Sequence, residues 1–585
     1  MYLELESGIA YLDKDQRLVI HAGGQSPYRD QMQVARALGI PPEKIRVIST
    51  PVGGAFGGKE EATVQIHLAL LVMRTKRPVK IVWTREESGV AGLKRHPMRI
   101  EMKTASDQTG KLLANKVRIY SDTGAYASLG GTVLDVAIEN CCGPYRFSNV
   151  DIEAFCVYTN NGVAGAFRGF GAPQVNFAIE TQIDLIAEKL GLDRLQIRKM
   201  NLVNESDEGP FGKILGKVGI QETIQKAERS DLWVNREALK LGHSKPWRRR
   251  GIGISVGVKG FGFGALPDFA AASIEITPMG KFLVGVSCPE IGQGNTTAYA
   301  QIAAEVLHTA VDDVYIASAD SALAPDSGTS SASMSLVRGG NAVLAAAPKM
   351  LGLIIENASE VLGLHRDDLY CSEGAVRSRS RWQKMATYEQ IGAYIHRKAN
   401  VNRVEAGYIV PRVEKPVEGT IEIPHWSYMY ATALALVEVD TLTGSTKVIE
   451  FRLFPECGKI INPQGFIGQC EGAIAQGIGY ALVEEAQIEK GHFKNFNFTT
   501  YIVPTIFDVP NIVVDPVELH EPTGPFGAKG GGEIGIVPVA SAICNAIHDA
   551  VGVRMFQIPA TPERVSAALK RKHGSIQEIA GASSS

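Results

Sequence analysis

Residues 165–192 read GAFRGFGAPQVNFAIETQIDLIAEKLGL, a glycine-spaced loop that passes directly into a helix. Val175, Ala178, Ile179, Ile183 and Ile186 recur at helical spacing and share one face, which gives that helix a side to bury. The same succession returns downstream. EIGQGN at 290–295 precedes a helical stretch at 296–307, and the Asn462-Pro463 turn leads into a helix at about 469–485. With GGAFGGKE at 53–60 and GAKGGGEIG at 527–535, four glycine-rich segments spread over nearly the whole chain.

Around these loops, alternation of apolar and polar residues predicts strands at 17–21, 45–48, 79–83 and 116–120, and residues 1–10 read as a further strand. Helices are expected at 28–38 and 61–74. The interleaving is an α+β pattern. Periodicity breaks near 240–252, in GHSKPWRRRGIG, and a new strand is expected at 252–258. The chain therefore divides into 1–245 and 246–580, with 581–585, GASSS in the last five positions, as a disordered tail.

At 585 residues and 45% hydrophobic, the chain is long enough for two or more ordinary domains and fits an intracellular globular protein. Its 60 basic and 62 acidic residues are interspersed and leave a net charge of −2, so no field steers it to nucleic acid or an anionic membrane. The one basic run, WRRR at 247–250, reads as a solvated linker or a partner contact. Eight cysteines without a C-x-x-C pair supply neither a zinc ribbon nor an iron–sulfur cluster, and reduced thiols in the cytoplasm are expected. The N-terminus, MYLELESGIAYLD, has no basic segment followed by an apolar one, and no apolar run of membrane-spanning length is expected anywhere.

Closely spaced glycines let backbone N–H groups reach a ligand, and such an array at a helix start suits an anion. Nucleotide-binding layouts fit poorly. GGAFGGKE places Glu60 where a phosphate-binding loop needs a hydroxyl, and GFGFGA at 260–265 follows a strand without opening a helix.

Taken together and in this order, the four segments resemble the cofactor cradle in the large subunit of the molybdenum hydroxylases, the xanthine dehydrogenase/aldehyde oxidase family. KRHPMRI at 94–100, TGAYASLG at 123–130 and TNNGVAGAFRGFG at 159–171 are similar in wording to the molybdenum subunits of bacterial purine-catabolic xanthine dehydrogenases. The resemblance implies an α+β fold of two elongated mixed α/β domains that bind the molybdenum cofactor. It assigns residues as well. Gln25, in HAGGQSP, would hydrogen-bond the apical oxygen of molybdenum, and Phe56 and Arg168 would touch the metal's ligand sphere, Arg168 through its backbone. Gly54, Gly57, Gly292, Gln293, Gly294, Gln469 and Lys529 fall in pterin-binding segments, as do Ala332 and Ser333 of SGTSSASMS. Gln25, Phe56, Arg168 and Ala332 would lie near the metal without ligating it through side chains, because the pterin sulfurs, a sulfido group and oxygens do so.

The same resemblance makes Glu533 the general base, a carboxylate in a dry pocket suited to removing a proton from activated water. Glu60 would hydrogen-bond a purine and Phe170 would contact a flat substrate, although a phenylalanine there also reads as ordinary core. The arginine that eukaryotic relatives use against a purine has no counterpart in GTVLDVAIEN at 131–140, where the polar residue is Asp135. The implied reaction is hydroxylation of a purine carbon by water, with hydride passing to a sulfido group on molybdenum. An aldehyde or a nicotinate-like heterocycle is the alternative substrate. Electrons would leave through [2Fe–2S] and FAD centres on partner subunits, and the pterin is a candidate for the cytosine dinucleotide form. Family large subunits carry a preceding domain, so a separate chain would supply it or the chain is a truncated product. A truncated, noncatalytic scaffold is the third reading.

Overall fold

The computed structural model describes residues 1–582 apart from 210, 214, 215, 382 and 414–416, and for 213 and 573–582 it describes the backbone alone. The fold is a mixed α/β assembly of small sheets, the larger of them packed against helices. The first sheet runs Ile45–Ser49, Leu18–Ala22, Ser7–Leu12, Val79–Val82, with one parallel and two antiparallel pairings. Helices Pro27–Leu38 and Gln65–Thr75 close one face, and Ile20, Val34, Val47, Leu68 and Val72 meet between them. A three-stranded sheet follows, with Leu112–Gly124 between Met98–Ser106 and Asn149–Tyr158.

The central sheet orders Arg248–Gly260, Tyr428–Asp440, Thr446–Glu456 and Asn511–Val514. Tyr428–Asp440 is apolar on both faces because both are covered, which is why its sequence, YMYATALALVEVD, does not alternate. Helix Val539–Val551 crosses the strand Arg248–Gly260 so closely that a Cβ on Gly253 would stand 2.0 Å from the carbonyl oxygen of Ala542. A fourth sheet, Val314–Ser318, Phe282–Val286, Phe269–Ile276 and Arg403–Ile409, shares a core with helices Asn295–Leu307, Ser335–Leu362 and Tyr388–Arg397. Residues on both sides of position 245, such as Ile183, Ile224, Ile254 and Leu434, share one core cluster.

Several expectations shift. Residues 1–6 are not strand; the ladder begins at Ser7, while the terminal ammonium donates to Tyr501 (3.2 Å) and the Tyr2 ring stacks on Phe167. The second helix starts at Gln65, not 61, because 56–61 is spent in a turn. The helix expected at about 469–485 begins at Pro463, where the Asn462 side chain accepts from Gly465 N at 3.1 Å and caps it. WRRR is not a solvated linker: Arg248 starts the central-sheet strand and lies 3.2 Å from Glu438 and 3.3 Å from Asp440, and Arg250 lies 3.1 Å from Glu438.

Two helical stretches, Ser335–Leu362 and Ile534–Val551, are after all long and apolar enough to cross a membrane by length and composition. Both contribute residues to hydrophobic core clusters, Ile354 and Ile543 among them, so core packing explains their composition. Helix Ala172–Leu190 buries Val175, Ile179 and Ile183 as its pattern predicts, with Ala178 and Ile186 half-buried. Two of its charged residues, Glu180 and Asp184, are buried too. Arg198 inserts between Glu180 (2.9 Å) and Asp184 (2.8 Å), all three side chains shielded from solvent. All eight cysteines are free. Of the tail read as disordered, 581–582 end the helix Pro562–Ala582 and 583–585 lie outside the described residues.

Candidate active site

The glycine loops from the two ends of the chain converge on one cavity of about 700 Å3. Every residue singled out in the sequence for cofactor, metal or substrate lines it, from Gln25 to Glu533. The walls are loops forced into left-handed backbone: Gly54 and Gly57 have φ of 95° and 106°, and Phe56, Phe170, Ala332 and Ser333, all with side chains, also have positive φ. Non-glycine residues in that region store strain, and strain of this kind concentrates at functional sites.

Gln25 ties two of the loops together. Its Nε2 donates to Ser330 O (2.8 Å), and its Oε1 accepts from Gly57 N (3.1 Å) and Lys59 N (3.3 Å). Arg168 does the same on the opposite wall: its backbone N donates to Phe56 O (2.9 Å) and its guanidinium to Gly532 O, Gln469 O and Gln469 Oε1. Gln469 then donates to Gly292 O at 3.0 Å. Burial lowers the Arg168 guanidinium to about 10. Its hydrogen-bond partners among the described residues are backbone carbonyls and side-chain amides, with no carboxylate among them.

Glu533 stands at the entrance to a 3-10 turn, Ile534–Ile536. Its Oε1 accepts from Gly169 N at 3.0 Å, so the AFRGF loop holds one oxygen in place. Its Oε2 is buried, has no hydrogen-bond partner among the described residues, and lies 3.6 Å from Lys259 Nζ. Glu60 lines the same cavity, 3.2 Å from Arg29 Nη1, and burial pushes its carboxyl up to about 7 against the pull of Arg29. Glu422 is likewise pushed up to about 7 by burial.

Other assignments come out differently in detail. The EIGQGN loop does not present a free N–H array: Glu290 Oε1 accepts from Gly292 N (3.0 Å) and Gly294 N (2.8 Å), and Oε2 from Thr296 N (3.2 Å). Gln293 is turned into its own loop, with Oε1 accepting from Ile291 N at 2.6 Å. The Lys529 ammonium donates to Glu456 Oε2 (2.8 Å), Tyr428 O (2.9 Å) and Lys217 O (3.1 Å), which uses all three protons. Asp135 Oδ2 accepts from Ile421 N (2.6 Å) and Glu422 N (3.0 Å), and so sets the backbone that carries Glu422.

Lys259, Glu422 and Phe263 line the cavity without having been singled out in the sequence. The signal was present in GFGFGA: Gly262 N donates to Ala332 O at 2.9 Å, and a Cβ on Gly264 would stand 1.8 Å from Glu422 O. This segment belongs to the cradle as a packing loop.

The donor set suits an extended polar group. Ser333 Oγ, Asn295 Nδ2 and Glu533 Oε2 are buried with no hydrogen-bond partner among the described residues, and Gly292 and Gly294 have open space where a side chain would stand. Buried polar atoms left unpaired cost free energy, so such a cluster in one cavity fits a polar ligand. Among the described residues no group of three or more His, Cys, Asp or Glu side chains forms a metal-binding set.

Known proteins resemble this chain over nearly its whole length. A family model described as a molybdopterin cofactor-binding domain matches residues 1–202, and a second of the same description matches 226–510. A probable xanthine dehydrogenase subunit of Bacillus subtilis (strain 168) is 36% identical, over 98% of this chain and 75% of its own length. A probable hypoxanthine oxidase of Escherichia coli (strain K12) is 31% identical, over 95% of this chain and 58% of its own. The solved aldehyde oxidoreductase from Desulfovibrio gigas superposes with a TM-score of 0.86 at 28% identity, covering 97% of this chain and 60% of that one. The chain thus spans less than two thirds of the latter two proteins.

Proposed function

The chain belongs to the molybdopterin-dependent oxidoreductases of the xanthine dehydrogenase/aldehyde oxidoreductase family, and from that membership we propose that it hydroxylates a carbon of a purine-like nitrogen heterocycle with Glu533 as general base. The observation that carries this reading is the Glu533 carboxylate in the cavity wall, with one oxygen fixed by Gly169 N and the other, Oε2, buried without a hydrogen-bond partner among the described residues. When bound, the molybdenum cofactor supplies a two-electron acceptor and a place where water is activated.

The chain's own residues supply position and proton transfer. Glu533 Oε2 takes the proton from the water-derived nucleophile, and the Gly169 contact keeps the carboxylate from rotating away. Gln25 and Arg168 hold the GGAFGGKE and GAKGGGEIG loops against their neighbours, so the cavity keeps its width. Glu60, with its carboxyl near 7, presents both a donor and an acceptor to a heterocycle edge at neutral pH. Phe170 offers a ring to the flat substrate from the same wall. The names of the Bacillus subtilis and Escherichia coli relatives favour oxo-purines. The likeness to aldehyde oxidoreductase keeps an aldehyde as the second reading.

For this function we divide the chain into cofactor-binding halves 1–245 and 246–580, supported by the turn between helix Arg236–Leu241 and strand Arg248–Gly260. The remaining proposals are a cytoplasmic complex with [2Fe–2S] and FAD subunits, and a pterin that includes the cytosine dinucleotide form. The Bacillus subtilis relative is named as one subunit of its enzyme, which supports a multi-subunit assembly. The test is molybdenum per polypeptide in the complex purified with its natural partners, followed by turnover of hypoxanthine, xanthine and benzaldehyde. A ratio near one with oxo-purine turnover supports the reading. Molybdenum absent from folded, partner-bound protein brings the scaffold reading forward, and turnover of benzaldehyde alone replaces the purine.

A further inference from the structure

Lys259 is among the most completely buried charged side chains of the protein, 1% exposed, near the end of a strand that carries no other charge after Arg250. Burying an ammonium is costly unless it is paired. Two other buried lysines show what full pairing looks like here. Lys529 spends all three protons on Glu456 and two carbonyls, and Lys59 is salt-bridged to Glu4. Lys259 is different. Its Nζ donates to Gly260 O at 2.6 Å, and the carboxylate oxygen nearest it among the described residues, Glu533 Oε2, lies at 3.6 Å, beyond a hydrogen bond. The ammonium has three protons, Lys259 is a lining residue of the cavity, and its Nζ stands beside the oxygen assigned to proton transfer.

We propose that Lys259 is the specificity-determining cation of the site, donating to a ring-oxo oxygen of the substrate and selecting cyclic-amide heterocycles over substrates without that oxygen. The proposal rests on the heterocycle reading above. A cyclic amide carries an acceptor oxygen and an adjacent N–H on one planar edge. Glu60 and Glu422, carboxyls in the same cavity, offer complementary acceptor and donor atoms to the N–H side. Oxygen addition at an electron-poor ring carbon pushes negative charge onto the ring and its oxo substituent, where a fixed ammonium is worth most in a closed site. A simple aldehyde has one oxygen, and it sits on the reacting carbon.

The test uses the molybdenum-loaded complex, with dissociation constants measured for xanthine, which has ring-oxo groups, and for purine, which has none. Lys259→Met keeps the length of the side chain without its charge, and Lys259→Gln keeps a donor for Gly260 O should the Met variant fold poorly. We expect either variant to weaken xanthine binding by about tenfold to a hundredfold, the scale of one hydrogen bond to a charged group, with purine binding within about twofold of wild type. The xanthine-to-benzaldehyde ratio of kcat/KM should fall in parallel. Equal loss for xanthine and purine, or no loss for either, would overturn the proposal and leave the heterocycle reading standing. A wild-type complex that binds neither heterocycle and oxidises benzaldehyde would overturn both.

Discussion

Gly169 and Glu533, 364 residues apart in sequence, meet through a single hydrogen bond of 3.0 Å from backbone N to carboxylate Oε1. The contact joins the AFRGF loop of the first half to the GAKGGGEIG loop of the second. It leaves the other carboxylate oxygen, Oε2, without a hydrogen-bond partner among the described residues, 3.6 Å from Lys259 Nζ.

Glu533→Gln keeps the shape and the Gly169 contact but removes the base. Molybdenum content should stay at the wild-type ratio while turnover falls by about two orders of magnitude or more. Elemental analysis beside steady-state kinetics checks this, and near-normal turnover would remove Glu533 from its role.

Gly169→Ala acts on the other partner. Gly169 has a φ of 89°, and a Cβ there would stand 2.5 Å from Pro173 Cγ, so the loop must shift. The expected cost is about 1–3 kcal/mol of stability, and kcat should fall by about tenfold or more with little change in KM, because the carboxylate loses its anchor. Unchanged kcat in a folded variant would show that the anchor is dispensable.

Burial raises the Glu60 carboxyl from 4.5 to about 7, so the folded chain holds that proton more tightly than the unfolded one. The stability tied to this proton is full below about pH 4.5 and is lost as pH rises to about 7, an upper bound of about 3 kcal/mol. Relative to wild type, Glu60→Gln should therefore gain stability as pH rises through that window. Parallel chemical denaturation at pH 4.5 and 7.5 reads the difference, and parallel pH profiles would contradict it.

Lys529→Met tests whether this lysine serves the cofactor or the fold. The change leaves Glu456 buried without its cation, a loss of about 3–5 kcal/mol. A large drop in the unfolding midpoint is expected whether or not cofactor is loaded. A variant with wild-type stability but no molybdenum would return Lys529 to direct cofactor binding.

The cradle is legible in sequence because its backbone demands residues of a visible kind. Gly54 and Gly57 occupy left-handed φ that glycine accepts without cost, and the helix behind AFRGF announces itself through Val175, Ile179 and Ile183. The electrostatics are less legible. Nothing in the letter K at 259 distinguishes a solvated lysine from one aimed at Glu533, since that depends on a strand and a loop far apart in sequence. Glu290 escapes for a related reason: its carboxylate curls back on the N–H groups of its own loop, and only the turn geometry shows it. The arginines of WRRR look like a surface run until Tyr428–Asp440 pairs alongside and brings Glu438 and Asp440 opposite them.

The meeting of Gly169 with Glu533 also sets an order of events in biosynthesis. At about 5–20 residues per second, a ribosome needs roughly 20–70 s to travel from one to the other, and Gln25 waits similarly for Ser330, 305 residues downstream. Until the later partners emerge, the early loops have no opposite wall and the site has no interior. A ligand that needs both walls can therefore be held in full only after synthesis has passed Glu533.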